Sequence, residues 1–159
     1  VILGGICSAV LYPVLGVKCL AFWAASVLLD ADHYLEFLYH NGIRNFSLSK
    51  AVTFHNILHD FRERAEFINL SIFHTIECLL SVYFLILWLD SPWLRAIFYG
   101  MLLHVISDAV YLYRLGIFFK RANSIIEFRI RKSVMERNGI YPRVLYKEAL
   151  DLTWQGVRN

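Results

Sequence analysis

The chain has 159 residues, of which 58% are hydrophobic, 16% aromatic and 18% charged, with a net charge of +3 and a mean hydropathy of +0.49. Soluble domains run at about 45–50% apolar, so the composition predicts an integral membrane protein with one domain's worth of length. Three cysteines (Cys7, Cys19, Cys78) lie in apolar stretches with no CxxC spacing, which excludes a disulfide frame or a zinc ribbon, and a charge this small demands no nucleic-acid partner. The first residue is Val1 rather than Met, so an upstream segment is expected to be missing.

The first apolar segment is Ile2–Leu15, closed by Pro13 and Gly16 and short against the ~20 residues that cross a bilayer. A second runs over 17–39 and passes into Asp30-Ala31-Asp32-His33. A polar loop follows over 40–66, with Asn41-Gly42 and the bases Arg44, Lys50, Arg62 and Arg64. Residues 67–89 read as one continuous span, Asp90-Ser91-Pro92 as a tight turn with Pro92 opening the next helix, and 93–119 as the fourth span. From Lys120 the chain is basic and helical in character, broken at Asn138-Gly139 and Tyr141-Pro142. The expected fold is therefore all-α: a transmembrane bundle of about four helices over 1–119 and a basic cytoplasmic helical tail over 120–159. Four bases in the 40–66 loop and nine in the tail place both on the cytoplasmic side.

Ionisable residues within the apolar spans are costly and usually mark a site. His104 and Asp108 stand i, i+4 and share a helix face; His74 and Glu77, and Asp30 and His33, are spaced i, i+3. On ideal helices Asp30, His74, Glu77 and Asp108 lie roughly 12–16 Å from the basic side, and His104 roughly 22 Å. His55 and His59, spaced i, i+4 in the loop, are expected to fold over the opening, with Asp32 a ligand or a residue behind one. So many mixed nitrogen and oxygen donors exceed the needs of one four-coordinate ion and predict two or three divalent ions, zinc foremost, with manganese and iron the other candidates. Ser107 has no GxSxG elbow around it, and Cys78 points about 100° from Glu77 on a helix, so neither reads as a nucleophile. Between 121 and 137 bases alternate with apolar residues, which fits both an anionic membrane surface and a cytoplasmic dimer contact.

The stretches DADH at 30–33, FHNILHD with His55 and His59, and HVISD at 104–108 resemble the prokaryotic membrane-bound metal-dependent hydrolase family. Its motifs are PDxDH, HRGxTHS and a late HxxxD, and it is grouped with the zinc-dependent phospholipase C and single-strand nuclease superfamily. The resemblance covers roughly residues 1–119 and matches Asp30, Asp32 and His33 to the first motif and His104 and Asp108 to the last. This chain departs from the pattern in three ways. Leu29 stands before the first Asp, the middle motif lacks Arg-Gly and has a shorter His spacing, and the family's N-terminal His has no counterpart. The resemblance implies a hydrolase of phosphoester-like bonds working through a metal-activated water.

The residues and the resemblance together predict a membrane hydrolase acting on a lipid or lipid-linked phosphoester, with metal ligands Asp30, Asp32, His33, His55, His59, His74, Glu77, His104 and Asp108. A homo-oligomer is compatible with this reading. Two other classes use the same residues: a haem-binding electron-transfer protein with His74 and His104 as axial ligands, and a metal transporter.

Overall fold

A computed structural model describes residues 2–156. The chain is all-helical: α1 (Ile2–Leu15), α2 (Cys19–Leu28), α3 (Ala31–His40), α4 (Leu48–Asp60), α5 (Ile76–Leu89), α6 (Pro92–Arg114), α7 (Ile125–Arg137) and α8 (Pro142–Gln155). Extended pairing among the described residues is limited to a parallel bridge between Asn69 and Arg121. By contact the chain divides into two units. One holds the residues up to Asp30 together with Ile72–Phe118; the other holds Ala31–Ser71 and the chain from Phe119 onward.

The first unit contains α1, α2, α5 and α6. Gly16, at φ +56°, supplies the left-handed residue that lets the chain reverse after α1. Gly4 then packs on Ser26, while the Ser8 hydroxyl donates to the Cys19 carbonyl at 2.8 Å, so α1 and α2 run antiparallel. The contact of α2 with α6 is closer still. A Cβ at Gly100 would overlap the Phe22 carbonyl oxygen, so at this point α6 meets the bare backbone of α2. One turn further along both helices His104 meets the Ser26 carbonyl, so α2 and α6 run parallel.

Several expected boundaries hold and others move. α6 opens at Pro92 behind Ser91, and α7 and α8 separate at Asn138-Gly139 and Tyr141-Pro142. The continuous span expected over 67–89 is not continuous. Its helix starts only at Ile76, because the buried Thr75 caps α5: its hydroxyl oxygen accepts from the Cys78 amide at 3.3 Å and donates to the Ile72 carbonyl at 2.8 Å. The 40–66 stretch, expected as a loop, contains α4, capped by Ser47. Two helical stretches, Ile2–His40 and Pro92–Arg114, are long and apolar enough to cross a membrane, and Ile76–Leu89 is a shorter apolar helix. The first stretch is no straight rod, since it folds back at Gly16.

In the second unit, Phe37 of α3, Ala51, Phe54 and Leu58 of α4, and Leu145, Tyr146 and Ala149 of α8 form a compact core. The Tyr146 hydroxyl donates to the Ile68 carbonyl at 2.8 Å. Burial first, then the Glu36 carboxyl, holds this phenol well above its ordinary pKa, so it stays a neutral donor. The turn between α3 and α4 is built by the buried Asn41, whose side-chain oxygen accepts from the Arg44 and Asn45 amides at 2.8 and 3.2 Å.

Gly100→Ala should cost about 1–3 kcal/mol of stability, because α2 must move off α6 to admit the methyl group. Denaturant unfolding in detergent micelles measures it, and an unchanged midpoint would contradict the close contact.

Candidate metal centre

Four side chains of the first unit converge. Asp30 lies in the turn that follows α2, His74 ends the short 3-10 turn before α5, and His104 and Asp108 lie one turn apart on α6. The His104 Nε2 is 3.3 Å from the Asp30 carboxylate and 3.6 Å from that of Asp108. The His74 Nε2 is 3.4 Å from Asp108 and 3.9 Å from Asp30. The two imidazoles meet edge to face with centroids 5.0 Å apart. His74 is buried, whereas the Asp30 side chain is 55% exposed, so the cluster opens on the Asp30 side.

The orientation of His104 decides its chemistry. Its Nδ1 is 2.7 Å from the Ser26 carbonyl oxygen. A carbonyl only accepts, so Nδ1 carries the proton. In the neutral ring Nε2 then presents a lone pair toward two carboxylates, an arrangement that requires a proton or a cation between them. Ser26 is available because it sits in the last turn of α2, where carbonyls run out of intrahelical donors. A histidine whose far nitrogen donates to a backbone carbonyl is the usual companion of a metal-facing nitrogen.

Two imidazole nitrogens and two carboxylate oxygens are a suitable donor set for one four-coordinate zinc. The four donor atoms lie within 4.8 Å of one another. Donors around a zinc, each at about 2.0–2.2 Å, lie within about 4 Å of each other, so side-chain rotation of under about an ångström would close the set.

The other expected ligands are not among these four. Glu77 sits in the first turn of α5, outside the four-donor group. Since His74 precedes the cap at Thr75, the expected sharing of one helix face by His74 and Glu77 does not occur. Asp32, His33, His55 and His59 belong to the second unit. There Asp32 is buried 3.9 Å from the His33 Nδ1, and the His33 and His55 rings meet at a 42° tilt with centroids 4.2 Å apart. His59 lies on α4 against the Arg62 guanidinium, at 2.7 Å. His55 and His59 are thus helical residues rather than loop residues.

Two contributors escaped the sequence reading. The Ser26 carbonyl carries no side-chain signal. Thr75 did carry one, as a hydroxyl residue placed just before an apolar run. Thr75→Val, which keeps the shape and removes both hydrogen bonds, should cost about 1–2 kcal/mol by thermal unfolding. An unaltered transition would show that the turn holding His74 does not depend on that hydroxyl.

No family model matches the chain, and neither a curated protein nor a solved structure does. The site is therefore read from its own geometry.

Proposed function

We propose that the chain is a membrane-embedded, metal-dependent hydrolase whose first unit holds a divalent ion between Asp30, His74, His104 and Asp108, and whose substrate is a lipid or lipid-linked phosphoester. The observation that carries this reading is the His104 ring, proton-committed to Ser26 on one side and aimed at two carboxylates on the other. The four donors by themselves account for one ion; the two or three ions expected from the sequence would need donors beyond these. Zinc suits the mixed nitrogen and oxygen set, with manganese and iron as the alternatives. With three of the four side chains on the ion and the exposed Asp30 giving way, such an ion would supply acidification of a water and polarisation of a phosphoryl oxygen.

The chain's own groups have separable tasks. His74 and His104 provide neutral donors, and Asp30 and Asp108 balance the charge of the ion. The exposed side of Asp30 leaves a path for the substrate. The resemblance of DADH and HVISD to the membrane-bound hydrolases supports the reaction class, since Asp30, His104 and Asp108 come from those two stretches.

A membrane location is supported by what the apolar helices do not bury. In both membrane-length stretches only 17% of the most apolar window is buried, where the core helix of a soluble protein would be mostly covered. Ile6, Val10 and Val14 of α1 and Phe84, Leu87 and Trp88 of α5 are likewise exposed. The bases of 40–66 and of the tail favour a cytoplasmic position for both. The haem alternative fares worse, because a macrocycle separates its two axial imidazoles, and these two are in edge-to-face contact at 5.0 Å.

Purified protein should carry about one equivalent of zinc, manganese or iron per chain by elemental analysis, the complement of one four-donor site. His104→Gln and Asp108→Asn should each lower that content tenfold or more and abolish phosphate release from a lipid extract. A metal-free native protein would leave the cluster a hydrogen-bonded His–Asp network and overturn the proposal.

A further inference from the structure

α7 leaves a whole face uncovered. None of its residues is buried. Its exposed residues are Ile126, Arg129, Ile130, Ser133, Val134 and Arg137. At about 100° per residue these six fall within an arc of roughly 140°. The three aliphatic side chains form an i, i+4, i+8 stripe and are 66, 59 and 50% exposed, respectively. Arg129 borders the stripe, and Arg137 lies within its C-terminal end.

The acids of the helix are turned elsewhere. Glu127 is held by Arg131 at 2.9 Å and accepts from the Asn123 amide at 2.8 Å, and Glu136 is half-buried. Arg131 is itself committed, donating to the Phe119 carbonyl as well. The outward face therefore combines branched apolar side chains with two arginines and no exposed acid.

We propose that this face of α7 lies on an anionic phospholipid surface, with Ile126, Ile130 and Val134 in the acyl boundary and Arg129 and Arg137 at the head-group phosphates. Charge complementarity selects this occupant. A second copy meeting the same face across a two-fold axis would bring the arginines toward each other with no acid to pair them. A phosphate-bearing bilayer accepts both components at once. Only residues 115–124 separate α7 from the end of α6, so a bilayer crossed by α6 lies within reach of the connecting chain. The inference requires a membrane-bound chain and does not depend on the metal or on the reaction.

The test uses the full chain with Cys7, Cys19 and Cys78 replaced by alanine and an Ile130→Cys substitution carrying an environment-sensitive fluorophore. It is reconstituted at one copy per nanodisc. In discs containing phosphatidylglycerol the emission is expected to shift to the blue and to be quenched by nitroxide-bearing lipids. Substituting Arg129→Gln and Arg137→Gln together should lower the ratio of inserted to water-exposed probe about 30-fold, from two bases each contributing about fivefold at the surface. Water-like emission in every lipid would overturn the proposal. So would a shift indifferent to lipid charge, or one that appears only when two copies share a disc. A second probe at Ile126→Cys guards against a local effect of the label.

Discussion

The contact on which the first unit depends is the approach of α6 to the bare backbone of α2. Gly100 has no side chain to hold the helices apart, and the Phe22 carbonyl occupies the space where one would be. Because α2 and α6 run parallel, the next turn on each brings His104 against the Ser26 carbonyl. That hydrogen bond sets the tautomer, and the tautomer sets which nitrogen faces Asp30 and Asp108. A packing choice at one glycine is thus transmitted over a single helical turn into the electronic character of the site. Gly4 repeats the device on a smaller scale, letting α1 close against Ser26 from the other side.

Much of this was legible in the sequence and some was not. Helicity, the break at Pro92 and the separation of α7 from α8 follow from local chemistry, where Pro and Gly act within a residue or two. Asp30, His74, His104 and Asp108 were visible because ionisable groups in apolar runs stand out against their neighbours. Their depths, taken from ideal spans, set His104 apart from the rest. The structure removes the discrepancy, because Asp30 lies in a turn and His74 ahead of a helix rather than within straight rods. What hydropathy could not supply was the difference between apolar and helical: Phe67, Ile68, Leu70, Ile72 and Phe73 extend the apolar pattern upstream, yet the helix begins only after Thr75. The partnership of 31–71 with the chain from Phe119 onward was also out of reach, since Phe37, Phe54 and Leu145 meet across a sequence separation that no local pattern encodes.

The second unit shows a different use of polar groups. Asn41 and Tyr146 are both buried and both spend their hydrogen-bonding capacity on backbone, in a turn and on the Ile68 carbonyl. Neither is an outlying polar residue awaiting a ligand. His40, stacked flat on Tyr146 at 4.2 Å, belongs to the same packing logic. The contrast with His104 is informative. Burial alone does not separate the two imidazoles, but their surroundings do: the His40 ring lies flat on a phenol, whereas the His104 Nε2 faces two carboxylates.

The spread of the four donors along the chain carries a thermodynamic consequence. Asp30, His74 and His104 are separated by 44 and 30 residues, the differences 74 − 30 and 104 − 74. An ion gripping all of them would act as a removable cross-link. It would draw two long stretches of chain into closed loops whose entropy would otherwise favour the unfolded state. Its concentration would then set how firmly α5 is anchored to the α2–α6 pair, since a ligand that binds only the folded form stabilises it by mass action. In that sense an occupied cluster would be a folding element for an all-helical unit whose helices are otherwise joined by apolar contacts, two close-packed glycines and the Ser8–Cys19 and His104–Ser26 hydrogen bonds.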